Sequence, residues 1–201
     1  MKSFPAFGIL LRAPSERRAL ENVLLAGSNL PGPRGNIELA QGFARALAGM
    51  RLEDWHWEML GAWQSKSLAA APVNTPEEFL PFCAALAMGV LYPGLARPGR
   101  RRALAGIQKA ASDQRWRTRE AVAMALQAIG EDDPAGLQQI VTRWMPETNW
   151  LQKRAIAAGL AHPPLLGDSA FALFCLSIAD QLMESVARAG KAERTREDFR
   201  V

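Results

Sequence analysis

The 201-residue sequence is poor in the side chains on which most metal and catalytic sites depend: it has two Cys, two His and one Tyr. Cys83, Cys175, His56 and His162 stand far apart and form no spaced pair, so no metal-binding motif is present. No Ser nucleophile elbow occurs, and the glycines at 31–36 lack the Lys-Ser/Thr pair of a phosphate-binding loop. The sequence therefore predicts no catalytic residue, no metal and no cofactor, and it favours a non-enzymatic protein.

Long uncharged apolar runs are also missing. The most apolar stretch, FALFCLSIA at 171–179, is followed by Asp180, so we predict no membrane-spanning segment and no membrane partner. The N-terminal segment MKSFPAFGILLRAPSERR contains Pro5 and Gly8 and lacks both the apolar core and the cleavage site of a signal peptide. Two cysteines in apolar segments without motif spacing are typical of a reducing compartment. We expect a cytoplasmic protein.

Helix-forming residues dominate what is present. Ala and Leu are frequent and β-branched clusters are few, which favours an all-α chain. The hydrophobic fraction of 49% is sufficient for a packed core, and the formal charge of +4 means that any basic patch must be local. The length predicts a single domain over residues 1–201, with a minor boundary possible near 67–76.

Polar residues placed before apolar segments predict where helices begin. Thr75-Pro-Glu-Glu78 has the pattern of a capping box, and the helix after it, 79–92, is apolar almost all round and should be central. A second predicted helix, at 52–64, has an apolar stripe along one face that includes Trp55 and Trp63. Five further polar residues are placed to cap helices: Ser15, Asn36, Asp113, Asp133 and Asn149.

Two segments of the chain match each other position by position. WRTREAVAMAL at 116–126 and WLQKRAIAAGL at 150–160 align at an offset of 34 residues, and a further step back reaches 82–92 with a weaker match. A period of about 20 to 50 residues is typical of a solenoid, in which small residues let helices approach and bulky ones fill the seam. We therefore predict a stack of antiparallel helix pairs, clearest over 100–165, with Trp116 and Trp150 packed between layers.

This pattern resembles HEAT repeats. Their second helix carries an Asp before it, an early basic residue, then Ala and Leu at fixed steps, and a Gly. The corresponding residues here are Asp113, Arg119, Ala123, Leu126, Ile129 and Gly130, and we expect the helix to end at Gly130. The resemblance implies an all-α, α-α superhelix of the HEAT/ARM type. It also implies that Arg119 is structural and pairs with the turn, and that the chain is a scaffold presenting a concave surface to a macromolecular partner.

A second resemblance gives an alternative function. The unit ending in NWLQKRAIAAGL is similar to the alkylpurine DNA glycosylases of the DNA alkylation repair family, which hold duplex DNA in a basic groove lined with Trp and an Asp. Here Trp144 is followed by Met145 and Pro146 with no Asp beside it, so the resemblance transfers no catalytic carboxylate. The alternatives are a module that binds a protein and a DNA-binding repair protein, and the oligomeric state stays open.

The candidate nucleic-acid residues are basic or aromatic. Basic side chains can bind phosphates independently of sequence, and Trp can stack on bases, although helical spacing equally favours packing for these Trp residues. The set comprises Arg100, Arg101, Arg102, Arg115, Arg117, Lys153, Arg154, Trp144 and Trp150. If these residues share one concave face, DNA binding is favoured; if they scatter, protein binding is favoured.

Two further segments are candidates for contacts with a partner. Trp57 lies off the apolar stripe of its helix and is the candidate contact residue for a protein partner. At 195–201 a new helix begins with an apolar face, which we interpret as either a continuing chain or a docking end.

Overall fold

The computed structural model describes residues 7–200, and over this range the chain forms thirteen α-helices and no β-strand, which confirms the predicted all-α class. The N-terminal stretch assessed above for a signal peptide lies partly, and Val201 lies wholly, outside the described residues. The helices are α1 (Phe7–Leu10), α2 (Arg17–Ala26), α3 (Ile37–Ala48), α4 (Asp54–Gln64), α5 (Phe79–Leu91), α6 (Arg97–Ala110), α7 (Trp116–Asp132), α8 (Pro134–Trp144), α9 (Trp150–Leu160), α10 (Pro163–Leu166), α11 (Ser169–Arg188), α12 (Lys191–Arg194) and α13 (Glu197–Arg200).

From α3 to α9 the chain alternates between two sets of packed helices. The odd layer consists of α3, α5, α7 and α9, which are neighbours in that order, and α11 lies next to α9. The even layer consists of α4, α6 and α8: α4 and α6 pack on α5, and α6 and α8 pack on α7. Each helix of the even layer therefore lies against the odd-layer helices that precede or follow it in the chain.

Helix α5 is the centre of the core, as its composition predicts. All of its residues except Val90 are buried, and α2, α3, α4, α6 and α7 surround it. Gly89 allows α7 to approach closely, because a Cβ at this position would overlap the backbone of Ala125. The next pair in the odd layer meets in a similar way: a Cβ on Gly159 of α9 would lie 2.9 Å from the Cβ of Leu126 in α7.

Three of the predicted helix caps are confirmed. Asn36 accepts a hydrogen bond from the backbone N–H of Leu39, and Asp133 accepts one from Gly136 at 2.9 Å. Asn149 and Gln152 each bind the other's backbone N–H, which is a complete capping box. Each side chain satisfies a donor that the first turn of a helix leaves free.

The remaining predicted caps are wrong. Ser15 lies within a 3₁₀ turn at Pro14–Glu16 and makes no capping hydrogen bond. The Thr75 hydroxyl donates to the carbonyl of Pro72, and Glu78 accepts from the backbone N–H of Asn74 rather than capping α5. Asp113 binds the backbone and side chain of Arg115, so its carboxylate does not cap α7.

Two expectations about α7 also need correction. The helix does not end at Gly130 but continues to Asp132, and Gly130 is instead a packing position against Leu137 and Leu165. Trp116 is 43% exposed rather than packed between layers, because it is the first residue of the helix and its ring lies over the guanidinium of Arg117 at 4.5 Å. The residues directly after it, Arg117 to Arg119, are already buried, and the apolar core face of α7 begins at Ala121.

Helix α11 continues well beyond the apolar run 171–179. The sequence predicts no membrane-spanning segment, but among the described residues α11 alone is long and apolar enough to cross a membrane by length and composition, with a mean hydropathy of 1.4 over an 18-residue window. Only 11% of that window is buried. Core helices of water-soluble proteins can meet the same criterion, but they are mostly buried.

Candidate binding surfaces

Two of the candidate phosphate-binding arginines are buried against acidic side chains. Arg115 is 3% exposed and forms an ion pair with Asp113 at 2.6 Å. Arg117 is 6% exposed, and its Nη1 donates to Oε2 of Glu78 at 3.0 Å. Because their charges are already neutralised inside the protein, these guanidinium groups are not presented to a phosphate.

The Arg117–Glu78 pair holds three distant segments together. Nη2 of Arg117 donates to the carbonyl of Gly32 at 2.5 Å and to Oδ1 of Asn74 at 3.2 Å, and the same Asn74 oxygen accepts the backbone N–H of Gly32. Glu78 is completely buried. The pair thus ties the 29–35 loop and the 67–76 segment to the start of α7, and Arg115 adds a contact to the carbonyl of Ala71.

The Arg100–Arg102 run lies at the other end of the α6–α7 hairpin. Arg100 donates to the carbonyls of Pro93 and Leu95 and lies 3.6 Å from Asp133, which follows the end of α7. The start of α6 and the start of α7 are therefore separated by the length of α6, about 20 Å for its 14 residues. The basic candidates do not form one continuous surface.

Arg101 and Arg102 are exposed on α6, in the even layer. The guanidinium of Arg102 lies 5.1 Å from the ring centroid of Trp57 in α4, a cation–π contact between neighbouring helices. Trp57 itself is half-buried and packs partly against the core. Arg101 and Arg102 remain open to solvent without an acidic partner among the described residues, and with Trp57 they form the small Arg101–Arg102–Trp57 cluster.

The candidates on α8 and α9 are largely occupied by contacts within the chain. Trp144 is buried, and Arg154 pairs with Glu120 at 2.8 Å. Trp150 donates its indole N–H to Glu193 at 2.8 Å, and its ring lies edge-on to Phe199 and next to the Lys153 ammonium. The indole of Trp150 therefore holds the C-terminal helices α12 and α13 against α9.

Arg119, which the HEAT resemblance assigns a structural role, binds the turn before its helix. Its Nη1 donates to the carbonyls of Asp113 and Gln114 at 2.7 and 3.1 Å. Burial lowers the pKa of Arg119, the nearby charge of Arg154 lowers it further, and Asp113 and Glu120 oppose both effects. The side chain binds turn carbonyls rather than the carboxylate of Asp113.

The Asp54–Glu58 segment does not form an acid–base site. His56 is buried, its Nδ1 accepts the backbone N–H of Glu53, and its Nε2 lies 3.0 Å from the carbonyl of Leu11, to which it donates. Both ring nitrogens are therefore used in holding α4 to the end of α1. Within residues 7–200 no group of three His, Cys, Asp or Glu side chains is placed to hold a metal ion.

A groove that the sequence does not predict crosses the odd layer. Its volume is about 440 Å³, and its walls come from α3, α5, α7 and the turn after α9. Leu86, Val90 and Met124 supply apolar surface. The polar residues around it are Gln41, Arg45, Gln127, Glu131, Asp132 and His162.

The polar rim of this cross-layer groove is acidic toward α7. Glu131 lies 2.7 Å from Nε2 of His162, and Asp132 follows it, whereas the α3 side offers Arg45, hydrogen-bonded to Gln41 at 3.0 Å. No sequence motif marks this groove, since its residues come from four elements. Val90 is the one residue of α5 that is only half-buried, but the sequence does not single it out, because its neighbours in α5 are equally apolar.

Comparisons with protein-family models, with curated proteins and with solved structures find no match for this chain.

Proposed function

We propose that the chain is a HEAT-like α-α superhelix that acts as a non-enzymatic binding scaffold, with a segment of a partner protein in the cross-layer groove. The observation that carries the proposal is the ion pair between Glu120 and Arg154. These residues are 34 positions apart, which is the repeat period read from the sequence. The pair joins α7 to α9, the two helices that the repeat makes equivalent.

Other contacts between neighbouring helices support the same repeat. The seam between α7 and α9 places Gly159 against Leu126, and the seam between α5 and α7 places Gly89 against Ala125. In both seams a glycine of one helix receives the side chain or backbone of its neighbour, as close packing between stacked units requires. Arg119, bound to the turn before α7, agrees with the role that the resemblance implies.

The chemistry of the cross-layer groove favours a protein partner over duplex DNA. Glu131 and Asp132 at its α7 side would repel phosphates, and Arg45 is the one arginine or lysine that lines it. Apolar floor residues with a mixed polar rim suit a peptide segment carrying two or three apolar side chains and a basic residue near Glu131. The α-helical walls offer no free sheet edge, so side-chain anchors would dominate recognition.

The second candidate function is a DNA-binding repair protein of the alkylpurine glycosylase type. The observation in its favour is the exposed Arg101–Arg102–Trp57 cluster, which joins unpaired positive charge to an aromatic ring. That surface is small and lies in the even layer, away from the groove. We therefore rank it second.

The decisive experiment selects peptides from a displayed random library on the folded chain and then measures their affinity for two variants. Met124→Glu places a charge on the groove floor, and Arg101→Glu places one in the even layer as the matched control. We expect the selected peptides to lose at least tenfold in affinity for Met124→Glu and to bind Arg101→Glu unchanged. Selected peptides insensitive to Met124→Glu would contradict the proposal.

The DNA alternative is tested separately by titrating labelled duplex DNA at ~50 and ~200 mM salt. A protein that neutralises several phosphates loses affinity by orders of magnitude over this range. We expect no such salt-sensitive binding. Strong binding at low salt that Arg101→Glu weakens would establish the second candidate instead, and release of a methylated purine would make the protein an enzyme.

A further inference from the structure

A polar pocket lies where the ends of α4 and α6 meet the start of α7. Its volume is about 460 Å³. It is separate from the cross-layer groove, because Glu131 of that groove lies about 20 Å further along α7 than Thr118. We call it the lysine pocket, and its polar lining includes Ser65, Lys66, Lys109, Ser112, Arg115 and Thr118.

The lining of the lysine pocket carries positive charge. Three basic residues, Lys66, Lys109 and Arg115, face one acidic residue, Asp113. Asp113 and Arg115 neutralise each other through two hydrogen bonds of 2.8 and 2.6 Å. The charges of the lysines remain, since every ion pair among the described residues has Arg or His as its cation. A concave surface of this charge attracts an anion.

Two serine hydroxyl groups at the edge of the pocket are placed to donate to such an anion. Ser65 Oγ accepts a hydrogen bond from Lys109 Nζ at 3.3 Å, and Ser112 Oγ accepts one from Asn149 Nδ2 at 2.8 Å. Neither serine donates its own hydroxyl proton to another described residue. Both hydroxyl groups therefore keep a proton for a ligand.

Thr118 provides a third hydroxyl group, and this one is buried. The residue is 1% exposed, and its hydroxyl has no hydrogen-bond partner among residues 7–200. An unpaired buried hydroxyl is costly, and a helical threonine commonly avoids that cost by bonding to a carbonyl one turn back. Because Thr118 lines the lysine pocket, an anion bound there supplies the missing acceptor.

The helix ends around the pocket change this balance little. The start of α7 has no side-chain cap and presents the positive end of its dipole, which favours an anion. The ends of α4 and α6 present negative ends, each equal to about half a charge, and α7 offsets one of them. The two lysine charges exceed what remains.

The donors suit a phosphate group better than a carboxylate. The planar fork of arginine matches a carboxylate best, and Arg115, the one arginine of the lining, already uses its fork on Asp113. Lysine binds phosphate as a point charge, and the three hydroxyl groups can serve the several oxygens of a tetrahedral anion.

We propose that the lysine pocket binds a phosphate group, either as inorganic phosphate or as the end of a small phosphomonoester. The ligand contacts are the ammonium groups of Lys66 and Lys109 and the hydroxyl groups of Ser65, Ser112 and Thr118. The volume of the pocket lies within the range of small-molecule sites, with room for a group attached to the phosphate. The site goes beyond the proposed scaffold function and does not depend on it.

Thermal unfolding of the full chain in increasing phosphate, with chloride keeping the ionic strength constant, tests for binding. We expect Tm to rise and then saturate, by about 3–5 °C when phosphate is at about ten times its Kd. Exclusion of phosphate from the protein surface also raises Tm, but without saturation. A parent chain whose Tm shows no saturable rise with either inorganic phosphate or phosphoserine overturns the proposal.

The same titration with phosphoserine and with acetate identifies the group that is bound. Tighter binding of phosphoserine than of inorganic phosphate shows that the source is a monoester, and the reverse order shows that it is phosphate itself. Either order supports the proposal. Acetate bound as tightly as both overturns the choice of phosphate.

Substitution of Lys109 locates the bound anion. Lys109→Met removes a cation from the edge of the pocket and should weaken phosphate binding by about tenfold. The matched control is Arg101→Met, which removes an exposed cation near the other end of the same helix and should leave the affinity unchanged. Phosphate binding that Lys109→Met leaves unaltered would indicate an adventitious ion only, and it would overturn the proposal.

Thr118→Val separates a role in binding from a role in folding. Valine keeps the shape of the side chain and removes the unpaired hydroxyl, so without phosphate Tm should stay the same or rise. The affinity for phosphate should fall about fivefold or more, because the ligand loses a donor. A lower Tm without phosphate, together with an unchanged affinity, would show that the hydroxyl serves the fold alone and would overturn the proposal.

Discussion

Burial determines whether an arginine of this chain forms an internal ion pair or remains in solvent. Arg117 and Arg102 belong to the same basic segment of sequence, yet the first neutralises a buried carboxylate and the second lies in solvent over an indole ring. Their partners, Glu78 and Trp57, are about 40 residues away in each case, so no local pattern distinguishes them. For this reason the sequence could predict a basic segment but not which of its members remain exposed.

Removing one member of the buried pair should be more harmful than removing both. Arg117→Met leaves Glu78 buried without its cation, and we expect it to lower the free energy of unfolding by about 3–5 kcal/mol. The double variant Glu78→Met/Arg117→Met should be more stable than this single variant, because no isolated charge remains. Urea unfolding measures both, with exposed Arg101→Met as the control; a double variant less stable than the single would contradict the account.

Glu21 gives the chain a defined dependence of stability on pH. Burial raises its pKa, but hydrogen bonds from Trp63 and Arg17 outweigh burial, and the net pKa lies below the ordinary value of 4.5. The stabilisation is therefore present above pH 4.5 and is lost as the pH falls through the lowered pKa of the folded state.

We expect Glu21→Gln to destabilise the protein by about 1 kcal/mol at neutral pH. The difference from the parent should shrink as the pH falls below 4.5, because the parent carboxylate then becomes protonated. Thermal unfolding from pH 3 to 7 measures this, and a difference independent of pH would show that the charge of Glu21 is not involved.

At the scale of helices, the sequence predicts which helix is buried and which polar residues begin a helix. It predicts less well where a helix ends and which of its faces stays exposed. The continuous apolar run of α5 requires burial on every side, and Asn36, Asp133 and Asn149 act on their own first turns, so local pattern suffices. Glu78 fails as a cap because Arg117, distant in sequence, binds it. The exposed face of α11 could not be predicted, because the apolar run 171–179 does not show which of its side chains a neighbouring helix covers.

The contact between α5 and α7 depends on a residue without a side chain. Gly89→Ala should destabilise the protein by about 1–3 kcal/mol, because the new methyl group meets the backbone of Ala125 and cannot be relieved by a rotamer change. The matched control is Gly61→Ala in α4, where a Cβ meets no atom within 4 Å.

Since alanine favours helix over glycine by about 1 kcal/mol, the control should be neutral or stabilising. Chemical denaturation of both variants gives the comparison. Equal effects at the two positions would mean that α5 and α7 are not in close backbone contact.

At the scale of the whole molecule, the all-α class follows from composition and periodicity, while the surfaces do not. The cross-layer groove combines residues from four separate elements, and neither Arg45 nor Met124 carries a local signature of binding. The predicted nucleic-acid residues are likewise divided among the start of α6, the start of α7 and the helices α8 and α9. Only the packing order of the helices decides which residues meet.

The central claim is that α5, α7 and α9 are successive members of one layer, with a glycine at the close contact in each seam. Nuclear Overhauser effects in the labelled full chain test it most directly. The account predicts strong effects from the Gly159 Hα protons to the Leu126 methyl groups, and from the Gly89 Hα protons to the Ala125 methyl group. Absence of both, with the Leu126 methyl groups instead close to a helix other than α9, would contradict the account.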